Sequence, residues 1–252
     1  MWYHSTHMNT NDKANKFFLP AAVILAGLFI AGAVMWSSSH PTPASGGDTT
    51  ATVPTKIDVK DMKTAGNPFI GKADAPVTIA FWSDFQCPYC KAVEVGGVPQ
   101  ITTPEALPDI IKNYVDTGKV KIVFMDVAFL GNDSITGALY SHAVWNLYPD
   151  RYFEWRTAMY KAQDAEGDVG FGNAASIDKL DVTIAGLDAG KIAADVKANG
   201  TAYKAIIDSN SAELQKISPK GSATPSFLIG THVLAGAYPY AAFQEAIDAE
   251  LK

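Results

Sequence analysis

The sequence predicts an α/β fold with an inserted block of helices, preceded by one N-terminal transmembrane helix. An apolar run near the N-terminus contains no charged residue. Further along, β-branched and aromatic runs alternate with helix-like periodicity, and a long helical stretch separates the first strands from a late hairpin. The two cysteines of the 252-residue chain follow the first of those strands. These observations predict one folded head behind one membrane segment.

The apolar run 17–36 is long enough to cross a bilayer. As a helix it would span about 30 Å, which matches the hydrocarbon thickness of a membrane. Two lysines precede the run, and no lysine or arginine follows it before Lys56. This bias predicts that residues 1–16 lie in the cytoplasm and that the rest of the chain lies outside. A cleaved signal peptide is the alternative, because the sequence AGA at 31–33 resembles a cleavage site.

Two further segments follow the apolar run. Residues 37–66 are rich in Ser, Pro, Gly and Thr and poor in large apolar groups, so they are predicted to form a flexible linker. Residues 67–252 are predicted to form the folded head, with a helical insertion at about 130–216. The formal net charge of −6 argues against a nucleic-acid partner, because phosphate binding requires a basic face.

Within the head, the predicted order is strand, helix, strand, helical block, hairpin and helix. Glycines and prolines in 96–104 interrupt the first helix, which is expected to resume over 104–116. The later helices of the block are expected to begin at Ser176, Ala189 and Thr201. The predicted strands are 77–82, 119–125, 226–229 and 232–234, the first helix starts at Pro88, and the last helix covers 240–251.

The candidate catalytic residues are Cys87 and Cys90, in the motif Cys87-Pro88-Tyr89-Cys90. Disulfide exchange needs an exposed thiolate that attacks and a second thiol that resolves the mixed disulfide. At a helix start, unpaired N–H groups and the helix dipole would stabilise Cys87 as a thiolate, and Cys90 would lie one turn further on. Pro88 and Tyr89 lie between the sulfurs and are expected to tune the stability of the reduced form.

Two other uses of a cysteine pair stay open on this reasoning, a structural clip and half of a metal site. A structural zinc site needs four ligands. Of the five histidines, only His142 and His232 lie in the head. We therefore predict no metal ligand in this chain.

Four short segments of the head carry a family resemblance. They are APVTI at 75–79, SDFQCPYC at 83–90, DTGKV at 116–120 and ATPSF at 223–227. Together they resemble the DsbA-like branch of the thioredoxin superfamily over about residues 68–252, which implies a thioredoxin-like fold with the helical insertion typical of that branch. The resemblance also implies that Thr224-Pro225 is a cis peptide facing Cys87, in a loop that binds substrate backbone. A plain strand-start proline is the alternative for Pro225.

The chain departs from the family pattern at two places. Relatives often carry an acidic residue six positions before the first cysteine as a proton shuttle, and here that position is Phe81. Asp84 is close in sequence and is either a turn or cap residue or a proton acceptor, so proton transfer from Cys90 is expected to use water. The segment 96–104 suggests a loop beside the site, which either shapes the substrate surface or is tolerated decoration.

The resemblance implies an extracytoplasmic thiol–disulfide oxidoreductase that oxidises cysteine pairs in exported proteins through a Cys87–Cys90 disulfide, with no other cofactor. It implies reoxidation by a membrane quinone-linked thiol oxidase. Three alternatives are a disulfide reductase or isomerase, a non-catalytic tethered peptide-binding or chaperone module, and a metallochaperone. The motif itself does not decide the direction of electron flow.

Overall fold

The computed structural model describes residues 57–164, 170–219, 221 and 223–252. The predicted cytoplasmic segment 1–16, the predicted transmembrane helix 17–36 and the linker as far as residue 56 lie outside the described residues. Within the described ranges, no helix is both long and apolar enough to cross a membrane.

The elements follow the predicted order of strand, helix, strand, helical block, hairpin and helix. The strands are β1 (Phe69–Ile70), β2 (Val77–Ser83), β3 (Val120–Asp126), β4 (Ser226–Ile229) and β5 (His232–Ala235). The helices are α1 (Pro88–Val95), α2 (Leu107–Ile110, continued by a π-helical turn at Ile111–Val115), α3 (Asn132–Leu147), α4 (Tyr152–Ala162), α5 (Ala174–Asp181), α6 (Ala189–Ile217) and α7 (Tyr240–Glu250). Short 3₁₀ turns occur at Val59–Asp61 and Pro149–Arg151.

The strands form one mixed sheet in the order β1-β3-β2-β4-β5. β2 pairs in parallel with β3, so that Ser83 and Asp126 are partners at their carboxyl ends. On its other side β2 pairs with β4 in antiparallel fashion, and β4 turns back into β5. Because the two central strands are covered on both faces, their sequences are near-continuous apolar runs. The predicted α/β class is confirmed.

Alternate residues of β2 serve two apolar cores. Ile79 and Phe81 point to the larger core, which contains the buried faces of α1, α2, α7 and the helical block. Ala80 and Trp82 point to a smaller core on the opposite face, which they share with Leu214 of α6. The cysteine pair belongs to the larger core.

The prediction that 37–66 is a flexible linker is wrong for its last ten residues. Val59 and Met62 are buried in the smaller core, and the N–H of Val59 donates a hydrogen bond to the carbonyl oxygen of Gly230 at 2.7 Å. The Asp58 carboxylate accepts from the N–H of Lys60 and caps the 3₁₀ turn. Two apolar side chains three positions apart suffice to attach this segment to the sheet, whereas its average composition resembles a linker.

A second correction concerns the helix expected to begin at Thr201. α6 is one continuous helix, Ala189–Ile217, and Gly200 lies in its interior. Ile192, before this glycine, and Ile207, after it, are both buried. Tertiary packing on both sides therefore overrides the weak helix propensity of glycine.

The interior position of Gly200 in α6 leads to a prediction about the stability of the protein. A Cβ atom added there would meet nothing within 4 Å. We therefore expect Gly200→Ala to raise the free energy of unfolding by about 1 kcal/mol, because alanine loses less backbone entropy in a helix. Urea unfolding of the two proteins measures the difference.

The matched control for this prediction is Gly137→Ala in α3. A Cβ atom there would lie 3.0 Å from Cβ of Phe85, which leaves no room for it without a shift. The same substitution should therefore give no gain at this site. An equal gain at both glycines would contradict the argument from space and propensity.

Candidate active site

The cysteine pair lies at the junction of β2 and α1. The chain turns after Ser83, and the N–H of Cys87 donates to the carbonyl oxygen of Asp84 at 3.0 Å. Cys87 is the extended N-cap residue of α1, and Pro88 is its first helical residue, which confirms the predicted helix start. Cys90 lies one turn into the helix, and both cysteines are free thiols. Cys87 is 5% exposed and Cys90 is fully buried, so the prediction of an exposed Cys87 is wrong for this structure. The predicted pair therefore meets at a helix N-terminus.

The two thiols have opposite electrostatic environments. The pKa of Cys87 is lowered to about 7 from an ordinary value of 9.0, chiefly by a hydrogen bond with the Cys90 thiol. Burial opposes this effect, whereas hydrogen bonds from Thr224 and from the backbone N–H groups of Cys90 and Tyr89 add to it. Burial raises the pKa of Cys90 well above 9.0, and the neighbouring Cys87 adds to the rise. Cys87 is thus suited to attack or leave as a thiolate, and Cys90 to hold its proton.

The residues predicted for the substrate loop lie beside Cys87. Thr224-Pro225 is a cis peptide, as the resemblance implies. The Cys87 thiol donates to the carbonyl oxygen of Thr224 at 3.3 Å. Pro225 directly precedes β4, so the central sheet holds this loop against the helix N-terminus.

Asp84 supports the cysteine turn from beneath. It is fully buried, and its carboxylate accepts from the N–H groups of Gln86, Phe129 and Leu130 at 2.9–3.3 Å. The Ser134 hydroxyl donates to the same carboxylate. Burial raises the pKa of Asp84, and the hydrogen bond from Ser134 opposes the rise. These contacts are those of a turn residue that joins the cysteine turn to the start of α3.

A buried charge cluster beneath the site was missed by sequence reasoning. The guanidinium of Arg156, on α4, donates to both carboxylate oxygens of Glu94, at distances down to 2.6 Å. It also donates to Asp126 at 2.9 Å and to the Ser83 hydroxyl at 2.6 Å. All four side chains are buried. We call Glu94, Asp126 and Arg156 the buried charge cluster.

This cluster places acidic groups near the cysteines although Phe81 replaces the usual acid. Phe81 stacks on Phe227 at 4.3 Å in the larger core. Glu94 lies four residues after Cys90, hence one helical turn beyond it. Burial raises the pKa of Glu94 to about 7, and the charge of Arg156 opposes the rise. The Glu94 carboxylate is hydrogen-bonded to Arg156, and the expectation that proton transfer from Cys90 uses water stays a prediction.

Two aromatic residues connected to the cysteine turn are exposed. Tyr89 is 53% exposed and Phe129, whose N–H binds Asp84, is 46% exposed. The segment 96–104, predicted to be a loop beside the site, is attached at the opposite end of α1 from Cys87. It begins after Val95, at the far end of α1, about 12 Å along the helix axis from Cys87. The N–H of Ala106 then returns to the carbonyl oxygen of Val93, so the loop closes at that end.

No metal site competes for the cysteines in the part of the chain that the structure describes. No group of three or more His, Cys, Asp or Glu side chains there could hold an ion. His142 is buried in α3 and stacks on the ring of Tyr203, while His232 lies in β5 beside Glu250. Neither histidine is near the pair in the sequence or shares its elements.

The lowered pKa of Cys87 predicts a pH-dependent stability of the reduced protein. The folded thiol has a pKa of about 7, below its ordinary value of 9.0, so its stabilising effect is present above pH 9 and is lost as the pH falls through 7. The disulfide form has no thiol to ionise. The stability of the reduced form relative to the disulfide form should therefore rise between pH 7 and pH 9. Urea unfolding of both forms across this range tests it, and a difference independent of pH would contradict it.

The chain is similar to several known proteins in sequence and fold. The profile of the family described as Thioredoxin matches residues 63–249. Disulfide bond formation protein D of Bacillus subtilis is 35% identical over 98 residues, which are 39% of this chain and 40% of that protein. Probable disulfide bond formation protein D of Bacillus anthracis is 26% identical over 203 residues, 77% and 86% of the two chains. The crystal structure of oxidised BdbD from Bacillus subtilis superposes with a TM-score of 0.62 at 25% identity, covering 74% of this chain and 93% of that one.

Proposed function

Because this chain belongs to the thioredoxin family and is a thiol–disulfide oxidoreductase of the DsbA-like kind, we propose that it oxidises cysteine pairs in exported proteins. The observation that carries the proposal is the asymmetric pair at the start of α1. Cys87 has a lowered pKa at the helix N-terminus, whereas Cys90 is fully buried with a raised pKa. The names of the relatives, disulfide bond formation proteins, support oxidation as the direction.

The proposed reaction has two exchange steps. A substrate thiolate attacks the Cys87 sulfur of the Cys87–Cys90 disulfide, a mixed disulfide forms, and Cys90 leaves and takes up a proton because its pKa is high. A second thiolate of the substrate then attacks the substrate sulfur that is bonded to Cys87. Cys87 leaves as a thiolate stabilised at the helix N-terminus, and the substrate keeps the new disulfide. The substrate loses two electrons and the protein gains them. The cysteine disulfide is the redox group of this proposal, with no further cofactor.

Substrate binding in this proposal uses the loop at Thr224-Pro225 and the apolar surface of Tyr89 and Phe129. The carbonyl oxygen of Thr224 already accepts a hydrogen bond from the Cys87 thiol. An extended substrate segment can pair its backbone with this loop while its apolar side chains contact the two exposed aromatic rings. An unfolded chain offers such segments, and a folded one does not.

A specific observation favours a second candidate, a disulfide reductase or isomerase with the same cysteines. The pKa of about 7 for Cys87 equals the value typical of thioredoxin and lies above the value of about 3.5 typical of the strongest oxidants. Greater stability of the thiolate makes a stronger oxidant. The reduction potential of the pair therefore separates the two functions.

The decisive experiment measures that potential and the direct reaction together. Equilibration with glutathione should give a value towards the strong-oxidant end of about −120 mV, and the oxidised protein should oxidise a reduced, unfolded substrate. A potential near the thioredoxin value of about −270 mV, with no oxidation of substrate, would favour the reductase. The protein is purified under non-reducing conditions so that the disulfide form is tested.

The location and partner of the protein are part of the proposal. The apolar run 17–36 would anchor the chain, and the catalytic head would work outside the cytoplasmic membrane, where disulfides persist. Reoxidation of the pair would then fall to a membrane quinone-linked thiol oxidase. N-terminal sequencing of the mature protein distinguishes an anchor from a cleaved signal peptide. Membrane extracts with and without added quinone test the reoxidation of reduced protein.

A further inference from the structure

Gln163 connects the helical block to the cysteine turn. It is the C-cap residue of α4, and its side chain is only 5% exposed. Its side-chain amide nitrogen Nε2 donates to the carbonyl oxygens of Phe85, at 2.7 Å, and of Cys87, at 3.2 Å. An amide group has two N–H donors, so one glutamine satisfies both carbonyls.

These two hydrogen bonds hold the Phe85–Gln86 and Cys87–Pro88 peptide units, which lie on either side of the peptide bond between Gln86 and Cys87. The carbonyl of Phe85 and the N–H of Gln86 belong to one peptide unit, whose N–H donates to the Asp84 carboxylate at 2.9 Å. That unit is therefore held from both sides. The carbonyl of Cys87 also accepts from the N–H of Cys90, at 3.1 Å, in the first turn of α1.

The position of Gln163 is itself fixed by α1. The ammonium group of Lys91 donates to the backbone carbonyl oxygen of Gln163 at 2.7 Å. The N–H of Gln163 in turn donates to the carbonyl oxygen of Tyr160 in the last turn of α4. Gln163 thus connects α1 to the end of α4, and its side chain reaches the backbone of Cys87.

We propose that Gln163 is a positioning residue that sets how well the helix N-terminus stabilises the Cys87 thiolate, a proposal that rests on the thiol–disulfide exchange proposed above. The sulfur of Cys87 gains from the N–H groups of Tyr89 and Cys90 only while its backbone keeps the extended N-cap geometry. Preorganised donors stabilise a charge more than mobile ones, because no reorganisation is needed when the charge forms. Gln163 acts through the backbone and does not touch the sulfur.

Gln163→Met tests the proposal, because methionine keeps the length and the apolar contacts but has no donor. We expect the pKa of Cys87, measured from thiolate absorbance, to rise by about one unit. The equilibrium with glutathione should then be unchanged at pH 6 and shifted about tenfold towards the disulfide at pH 9, about 30 mV. A purely structural role would lower the thermal midpoint and shift the equilibrium equally at both pH values, or not at all, and would overturn the proposal.

Tyr203→Phe is the matched control. It removes a hydrogen bond to Asp195 between residues of α6, on a side chain that is also largely buried. It should lower the thermal midpoint without moving the pKa of Cys87. A pKa shift as large as that of Gln163→Met would show that any loss of stability has this effect, and would overturn the proposal.

A measurement on the unmodified protein covers the case in which Gln163→Met does not fold. The side-chain amide resonances of Gln163 should titrate with the midpoint of Cys87 in NMR spectra of the reduced protein. Resonances that do not move with that midpoint would overturn the inference. Failure of the unmodified protein to oxidise substrate would instead overturn the proposed direction of the reaction and leave the pKa comparison intact.

Discussion

Replacing Cys87 by serine should abolish thiol–disulfide exchange completely, whereas replacing Cys90 by serine should leave the protein trapped as mixed disulfides. Cys87 has the lowered pKa and lies at the helix N-terminus, so in the proposed reaction it is the sulfur that exchanges with substrate. Cys90 is buried with a raised pKa, and we expect it to resolve mixed disulfides that form on Cys87. Without Cys90, a Cys87 thiolate that attacks a substrate disulfide has no internal thiol to release it.

The two cysteine variants serve as controls for each other, because each removes one sulfur from the same turn. Oxidation of reduced, unfolded substrate measures turnover, and non-reducing electrophoresis with mass spectrometry identifies the trapped species. Trapped species on Cys87→Ser and none on Cys90→Ser would reverse the assignment of roles. If Cys87→Ser kept full biological function, the protein would be a peptide-binding or chaperone module and the proposed reaction would be wrong.

The second large effect is expected from Arg156→Met, which should lower the free energy of unfolding by about 3–5 kcal/mol. Methionine retains much of the apolar stem of arginine but removes the charge between Glu94 and Asp126. Both carboxylates would then be buried without a cation, and the hydroxyl of Ser83 would lose its donor. Urea unfolding at pH 7 measures the loss.

Arg151→Met is the matched control for the buried charge cluster. Arg151, five residues before Arg156, forms an exposed ion pair with Glu154, and such pairs contribute about 0–1 kcal/mol. The loss in Arg156→Met should also grow as the pH rises above 7. The charge of Arg156 opposes the burial that raises the pKa of Glu94 to about 7, so without Arg156 the Glu94 carboxyl keeps its proton to a higher pH, whereas the unmodified protein releases it. Equal losses in the two arginine variants would contradict the assigned role of the cluster.

The parts of the site that could be predicted from the sequence are those determined by residues close together in the chain. A strand of β-branched and aromatic residues, a proline after Cys87 and the cysteine spacing define the junction of β2 and α1 within one short segment. The cis loop at Thr224-Pro225 came from a resemblance, because about 5–6% of X–Pro bonds are cis and nothing in the dipeptide itself requires it.

The buried charge cluster could not be predicted in the same way. Glu94, Asp126 and Arg156 come from a helix, a strand end and the helical block, and each reads locally as an ordinary polar position. Only the topology brings them together. A weak signal did exist, because Asp126 directly ends an apolar strand whose partner β2 leads to the cysteines.

Two errors in the fold have a common origin in tertiary contacts. Composition predicted a linker over 57–66, where two apolar side chains reach the sheet. Gly200 likewise suggested a boundary, although packing continues through it. The two-residue strand β1 was too short for any periodic pattern to reveal.

The sheet order has a consequence for how the chain is made. β2, which leads into the cysteines, lies between β3 and β4, yet β4 is synthesised only near the end of the head. Until the ribosome has released β4, Phe81 lacks Phe227 and the loop at Thr224-Pro225 does not yet exist. A nascent chain that lacks β4 therefore carries both thiols without Phe227 and without the loop that contacts Cys87. The two cysteines acquire these surroundings only after most of the head has been translated.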